Sequence, residues 1–71
     1  MVATPVESKT LTSIAYDPAG AVLRLEFRNN AVYCYLDVPS DVYQNLLAAN
    51  SKGSYFNRNI RGRFRYRRMA H

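Results

Sequence analysis

The chain has 71 residues, enough for one small domain, and its apolar fraction of 48% is typical of a folded protein rather than a disordered one. A single cysteine, Cys34, excludes an intramolecular disulfide and a multi-cysteine zinc site, and a single histidine, His71, leaves no histidine-based catalytic pair. The net charge of +5 is concentrated at one end, because residues 51–71 hold seven of the ten basic residues and none of the five acidic ones.

One domain is expected over residues 10–68, after a loosely ordered lead-in at 1–9 and before a short tail at 69–71. The lead-in has no hydrophobic period, and it carries Glu7 where a signal peptide would be apolar or basic. No apolar run approaches the roughly 20 residues of a membrane span. The sequence therefore predicts a cytoplasmic protein with no membrane segment.

A three-stranded antiparallel meander is predicted in the first half of the chain. The expected strands are 11–16, 21–28 and 31–37. The turn Asp17–Gly20 separates the first two strands, since proline suits its second position and glycine closes it. Pairing across this turn places Tyr16 opposite Ala21 and Ile14 opposite Leu23. The two-residue loop Asn29–Asn30 separates the last two, because asparagine tolerates positive φ.

This loop length predicts the register of the second hairpin. A two-residue loop pairs Phe27 with Val32 and Leu25 with Cys34, and facing residues share one side of the sheet. The predicted apolar face comprises Ile14, Tyr16, Leu23, Leu25, Phe27, Val32, Cys34 and Leu36, so Cys34 is expected to be a buried structural thiol. The opposite face carries Arg24, Glu26 and Arg28 with Tyr33 and Tyr35, which places the two tyrosines on a sheet surface away from the helices.

Two short helices are predicted after Pro39. Ser40 is expected to cap the first, which should end near Asn50. Ser51 is expected to cap the second, over residues 52–61, with Phe56 and Ile60 on its apolar side and Gly62 ending it. Residues 63–67 alternate and predict either a short C-terminal strand or an ordered tail. Because a meander alone is marginally stable, both helices are expected to pack on its apolar face in an α+β fold.

No catalytic machinery is evident in the sequence. The carboxylates of Asp17, Glu26, Asp37 and Asp41 are scattered over turns, a strand face and a helix start. The glycines are isolated, so no phosphate-binding loop is present. The chain is therefore not predicted to be an enzyme, and no metal or other cofactor is predicted.

The basic final third predicts a polyanionic partner. A guanidinium offers a planar fork to phosphate and stacks on bases, and interleaved aromatic rings favour RNA or another single-stranded nucleic acid. The predicted contacts are Tyr33, Tyr35, Lys52, Tyr55, Asn57, Arg58, Arg61, Arg63, Arg65, Arg67 and Arg68. Three alternatives stay open: docking on an acidic protein partner, a solvated basic tail, and a homodimer formed through the tyrosine face or a free sheet edge.

Several segments of the chain together resemble a known family. Residues 52–61 read Lys-Gly-Ser-Tyr-Phe-Asn-Arg-Asn-Ile-Arg, and with Tyr33-Cys34-Tyr35, Val38-Pro39 and Phe64–Arg68 they resemble the KTSC domain over residues 9–68. That family occurs at the C-terminus of some lysyl-tRNA synthetases and as free-standing small bacterial proteins. The resemblance implies RNA as the partner class, in agreement with the arginines, and it implies no active-site residues.

Overall fold

The computed structural model describes residues 1–69 and consists of one antiparallel sheet and two helices. The strands are β1 (Thr4–Pro5), β2 (Leu11–Asp17), β3 (Val22–Phe27), β4 (Val32–Tyr35) and β5 (Tyr66–Met69), and they lie side by side in chain order. The helices α1 (Ser40–Ala48) and α2 (Lys52–Asn59) connect β4 to β5. Among residues 1–69, no helix has the length and apolar character needed to cross a membrane.

The predicted α+β class is confirmed, and the three-stranded meander is present as β2, β3 and β4. The sheet has five strands rather than three, because each edge of the meander carries one more. β1 lies within the stretch that was expected to be a loosely ordered lead-in. β5 is the C-terminal strand, one of the two alternatives predicted for residues 63–67, and it begins three residues later than that segment. Met69, which was expected to be in the tail, ends β5, and Ala70 and His71 lie outside the described residues.

The loop between β3 and β4 has three residues, 28–30, rather than the predicted two. Asn30 adopts a left-handed backbone conformation with a φ of 69°, which asparagine tolerates better than most residues. The Phe27 amide donates to the Ala31 carbonyl across the loop (2.8 Å), and the Asn29 side chain accepts from the Ala31 amide (3.0 Å). These bonds close a three-residue hairpin and shift the pairing of the two strands by one residue.

The one-residue shift exchanges the two faces of β4, since side chains alternate with a period of two. Leu23 lies opposite Tyr35, and Leu25 lies opposite Tyr33, so both tyrosines share the apolar face. The predictions that Cys34 lies on that face and that the tyrosines point away from the helices are therefore wrong. Cys34 is half-buried on the open face of the sheet, where no helix packs.

The first hairpin also differs in loop length, yet its faces are as predicted. Ala21 extends the turn with a φ of 55°, and Tyr16 lies opposite Leu23 instead of Ala21. Ile14 lies opposite Leu25, two residues beyond its predicted partner. A shift of two residues preserves the face of every side chain, whereas a shift of one reverses it.

The helices cover one face of the sheet, as predicted. The buried cluster between the helices and the sheet comprises Leu11, Ile14, Leu23, Leu25, Tyr35, Val38, Leu46, Phe56 and Ile60. Phe56 and Ile60 face this core from α2. The Tyr16 ring stacks on the Tyr43 ring of α1 at 4.8 Å, and its hydroxyl donates to the Val38 carbonyl at 2.6 Å. These contacts attach α1 to the sheet.

The start of α2 packs directly against the start of β2. A Cβ atom on Gly53 would approach Thr10 Oγ1 more closely than real Cβ contacts allow, so a larger residue would fit there only if the Thr10 side chain moved. The helix ends at Asn59, two residues earlier than predicted, and Gly62 takes a left-handed φ of 74° in the turn that follows. This turn leads the chain back to the sheet.

The two helix starts differ in how they are capped. The Ser51 side chain accepts a hydrogen bond from the Ser54 amide (3.3 Å), which confirms the predicted cap of α2. The first helix begins at Ser40 itself, with Pro39 at the N-cap position and no side-chain cap hydrogen bond. The prediction that Ser40 caps α1 is therefore wrong.

We expect Ser51→Ala to lower the free energy of unfolding by about 1 kcal/mol, because it removes an N-cap acceptor. Ser40→Ala, the matched control, should change it by less than about 0.5 kcal/mol, as is usual for an exposed position without a special contact. Urea unfolding followed by circular dichroism measures both variants. Equal losses in the two would contradict the difference in capping.

Candidate nucleic-acid interface

A cleft of about 370 Å³ opens between α2 and the strands β4 and β5. Its lining residues are Thr10, Phe27, Tyr33, Tyr35, Phe56, Asn57, Arg61, Gly62 and Tyr66. The observed register creates this site, because it places the side chains of Phe27, Tyr33, Tyr35 and Tyr66 on one face of three neighbouring strands. We refer to it as the aromatic cleft.

The rings of the aromatic cleft support one another through edge-to-face and tilted contacts. Phe56 contacts Phe27 and Tyr35, with centroid distances of 5.2 and 5.7 Å and interplanar angles of 74° and 73°. Tyr66 contacts Tyr33 at 5.4 Å and Tyr35 at 5.5 Å. Such pairs are favourable in these orientations, so the walls of the cleft are held in place without a ligand.

Tyr35 supplies a deeply placed hydroxyl. The residue is 4% exposed, and unlike the Tyr16 hydroxyl, its hydroxyl makes no hydrogen bond with another residue of the described chain. No side-chain polar atom within residues 1–69 is both buried and unpartnered, so this hydroxyl reaches the open space of the cleft.

The environment of Tyr35 keeps this hydroxyl protonated. Burial raises the pKa of Tyr35 from 10.0 to about 12, and the neighbouring phenols of Tyr33 and Tyr66 add to the increase, while the Arg61 guanidinium opposes it. A phenol with this pKa is neutral at pH 7. The hydroxyl can therefore both donate and accept a hydrogen bond at the cleft.

Two arginines border the aromatic cleft. Arg61 lies just after α2 and lines the cleft directly. Arg68 lies opposite Tyr33 in the sheet, and its Cζ atom is 5.9 Å from the centre of the Tyr33 ring. Both arginine side chains are exposed. The mouth of the cleft therefore combines positive charge with aromatic surface.

Four other predicted contacts lie outside the aromatic cleft. The Lys52 ammonium donates to the Ala49 carbonyl (3.0 Å) at the end of α1, and Tyr55 is half-buried against the core. Arg58 is exposed on α2, and Arg63 Nε donates to its carbonyl at 3.2 Å. These bonds make Lys52 and Arg63 partly structural.

The remaining two predicted arginines are divided between an ion pair and the open face of the sheet. Arg65 pairs with Asp37 at 3.1 Å, with the two side chains 81% and 78% exposed. Arg67 of β5 lies opposite Cys34 on the face away from the helices. Arg24 of β3 lies opposite Cys34 on the same face. A ligand in the aromatic cleft would not reach Arg67, because the sheet separates them.

The structure thus brings together five of the eleven predicted contacts at the aromatic cleft. They are Tyr33, Tyr35, Asn57, Arg61 and Arg68. Three rings of the cleft, those of Phe27, Phe56 and Tyr66, are absent from the predicted set. Tyr66 alternates with arginines in the sequence, and pairing that segment as a strand beside β4 is the step that would have identified it.

A second cleft, of about 560 Å³, lies at the start of α2. It is lined by polar residues that include Glu7, Lys9, Arg28 and Lys52. Arg28 donates to the Ser8 carbonyl, and Lys52 donates to the end of α1, so two of its three cations already have partners. Within residues 1–69, no group of three or more histidine, cysteine, aspartate or glutamate side chains could hold a metal ion.

Comparison with known proteins places the chain among KTSC domains. The sequence model of the KTSC domain family matches residues 7–64. A protein from Tsukamurella paurometabola is 44% identical over 61 residues, which cover 86% of this chain and 91% of that protein. The crystal structure of a KTSC domain protein from Yersinia pestis is similar with a TM-score of 0.95 and 39% identity, over 97% of each chain.

Longer relatives contain a similar stretch. A lysine–tRNA ligase from a Nostoc species is 36% identical over 64 residues, which cover 90% of this chain. The chain spans only 11% of that ligase's length. A lysine–tRNA ligase from Nostoc punctiforme matches in the same way, at 33% identity.

Proposed function

The chain belongs to the KTSC domain family, and from this premise we propose that it is a small module that binds RNA or another single-stranded nucleic acid. In this proposal, arginines of α2, the following turn and β5 contact phosphates, and the rings among them stack on unpaired bases. The observation that carries the proposal is the position of Arg61 and Arg68 at the mouth of an aromatic cleft. The proposed role is binding in the cytoplasm, without catalysis.

The distribution of charge supports this proposal. Residues 52–68 contain seven basic residues and no acidic one. Among residues 1–69 a single ion pair is found, between Arg65 and Asp37, and its high exposure makes it a weak competitor for a phosphate. Three other arginines are exposed and have no acidic partner among residues 1–69, namely Arg58, Arg61 and Arg68. Such a surface attracts a polyanion.

The ligase relatives support RNA as the partner class. They are named lysine–tRNA ligases, and each carries a stretch similar to this chain over 11% of its length. The proposal takes only the partner class from them, and it transfers no ligase activity. The presence of a similar stretch in enzymes named for a tRNA agrees with the arginines and aromatic rings of this chain, which suit phosphates and bases.

The tyrosines enter the proposal differently from the sequence-based expectation. Tyr33 and Tyr35 face the helices, so they do not form an open stacking platform on the sheet. The exposed ring is Tyr66, which is 58% exposed and contacts both of them. A base that stacks on this protein would approach Tyr66 first.

We expect the affinity for a single-stranded RNA to fall steeply with salt. With about four phosphate contacts, the logarithm of the binding constant should fall against the logarithm of salt concentration with a slope near about −3. Arg61→Ala and Arg68→Ala should each weaken binding and flatten the slope by about 0.7. Fluorescence anisotropy of a labelled oligonucleotide, repeated over a series of salt concentrations, measures the slope.

Arg24→Ala is the matched control for this experiment, because it removes the same charge from the open face of the sheet. It should leave the slope unchanged. An equal effect of all three substitutions would contradict an interface at the aromatic cleft. Finding no binding to RNA or DNA at low salt, where attraction is strongest, would overturn the proposed function.

A second candidate function is the docking of an acidic protein segment, favoured by the outer edge of the sheet. β5 pairs with β4 on one side and has no strand on its other side within residues 1–69. All four of its residues are exposed, and Arg67 and Arg68 lie at its centre. An extended acidic segment could add to this edge as a further strand. Binding of an acidic peptide by a protein that shows no binding of RNA would favour this candidate.

A further inference from the structure

We propose that the aromatic cleft is a pocket for a single unpaired nucleobase, with the attached phosphate held by the arginines at its mouth. This inference rests on the proposed nucleic-acid binding and goes beyond it, because it assigns one base, and not the strand as a whole, to a defined site. It also predicts that one nucleotide contributes much more to binding than its neighbours do.

The shape and lining of the cleft suit a flat heterocycle. Its volume of about 370 Å³ lies in the usual range of small-ligand sites, about 300–1,000 Å³. Five of its nine lining residues are aromatic, and Tyr66 stands edge-on to Tyr33 with an interplanar angle of 88°. A base could therefore stack on one ring while meeting the edge of another, both of which are favourable contacts.

The polar groups of the cleft can recognise the edge of a base. The Tyr35 hydroxyl is deeply placed, reaches the open space and makes no hydrogen bond with the described residues. A purely apolar ligand would leave it unsatisfied, whereas the nitrogen and oxygen atoms of a base could bond to it. Asn57 adds an amide to the same lining. This combination of rings and unused polar groups distinguishes the cleft from an ordinary gap in the core.

The charges at the mouth identify the ligand as a nucleotide rather than a neutral aromatic molecule. Arg61 lines the cleft, and Arg68 lies over the Tyr33 ring on its β5 side. A base inside the cleft would bring its own phosphate to this border, where a guanidinium binds it well. The second cleft has no comparable set of rings, since none of its lining residues is aromatic.

The test uses a short oligonucleotide backbone whose positions are abasic except for one. The fully abasic chain measures the phosphate contacts alone. We expect one base to raise the affinity about tenfold or more, the usual scale of stacking on an aromatic side chain. Because one pocket accepts one base, adding further bases to the oligonucleotide should raise the affinity little. The only expected increase is the statistical one, since any of the bases can occupy the pocket.

Two variants identify the pocket. Tyr66→Ala should lose most of the gain from the base and leave binding of the abasic chain and its salt slope unchanged, because a ring releases no counterion. Tyr35→Phe, which keeps the ring, should lose a smaller, several-fold part of the same gain. Met69→Ala is the control. Met69 is also exposed on β5, but it lies on the same open face of the sheet as Arg67, away from the aromatic cleft. Thermal unfolding checks that each variant is folded.

The outcomes separate this proposal from the function on which it rests. Equal affinity for the abasic and single-base chains, with steep salt dependence, would overturn the base pocket and leave nucleic-acid binding in place. No binding of any oligonucleotide, together with NMR shifts at Asn57 and Arg61 on adding nucleoside monophosphates, would support the pocket and overturn the proposed nucleic-acid function. Absence of both responses would overturn both.

Discussion

Replacing Tyr35 by alanine should lower the free energy of unfolding by about 3–5 kcal/mol, the range found for large-to-small changes at buried aromatic residues. Tyr35 is 4% exposed and contacts Phe56 and Tyr66, so its removal leaves a cavity between α2 and the sheet. The neighbouring Cys34→Ala should cost less than about 1 kcal/mol, because Cys34 is half-buried on the open face.

This pair of variants tests the register of the β3–β4 hairpin. Under the two-residue loop predicted from the sequence, Cys34 would be in the core and Tyr35 on the surface, and the order of the two losses would be reversed. Urea unfolding of both variants, with Tyr35→Phe to separate the ring from its hydroxyl, gives the comparison. A larger loss for Cys34→Ala than for Tyr35→Ala would contradict the observed faces of β4.

Raising the pH from 10 to 12 should lower stability by about 2 kcal/mol through Tyr35 alone. Its pKa is about 12 in the folded chain and 10.0 without the fold. Between these values the unfolded chain has lost the phenol proton and the folded chain still holds it, so rising pH favours unfolding. The contribution is fully present below pH 10 and is lost as the pH rises through the folded pKa, at about 1.4 kcal/mol per pKa unit.

The Tyr35→Phe variant is the control for the alkaline loss. It keeps the ring and lacks the titrating proton, so its stability should decline less steeply over the same pH range. The rest of the chain is identical in the two proteins, so the difference between the two curves reports the Tyr35 hydroxyl together with its interaction with the phenols of Tyr33 and Tyr66. Parallel curves from pH 9 to pH 12 would show that burial does not hold the Tyr35 proton.

The aromatic cleft shows how far a pattern of residue types predicts a site. Its arginines and Asn57 are predicted from composition and spacing, because charge and aromatic content are visible in the chain itself. Phe27 and Phe56 look like ordinary core residues in the sequence, and they are core residues that also form the walls. No local pattern shows that three strands and one helix bring these rings together.

The sequence by itself determined the α+β class, the order of the three meander strands and the two helices, the capped second helix and its buried side. These features depend on local periods, turn residues and capping side chains, which act within a few residues of one another. The faces of the first hairpin were also correct, because an error of two positions in pairing leaves alternation intact.

The tertiary structure alone decided which face of β4 carries Cys34 and which carries the tyrosines. The choice between a two-residue and a three-residue loop depends on the left-handed conformation of Asn30, and asparagine permits both loops. Packing settles it: the three-residue loop places Tyr35 against Phe56 beneath α2, where the ring is removed from water. That one-residue difference, which long-range contacts stabilise and local sequence does not, moves the tyrosines from an open sheet surface into a cleft bordered by arginines.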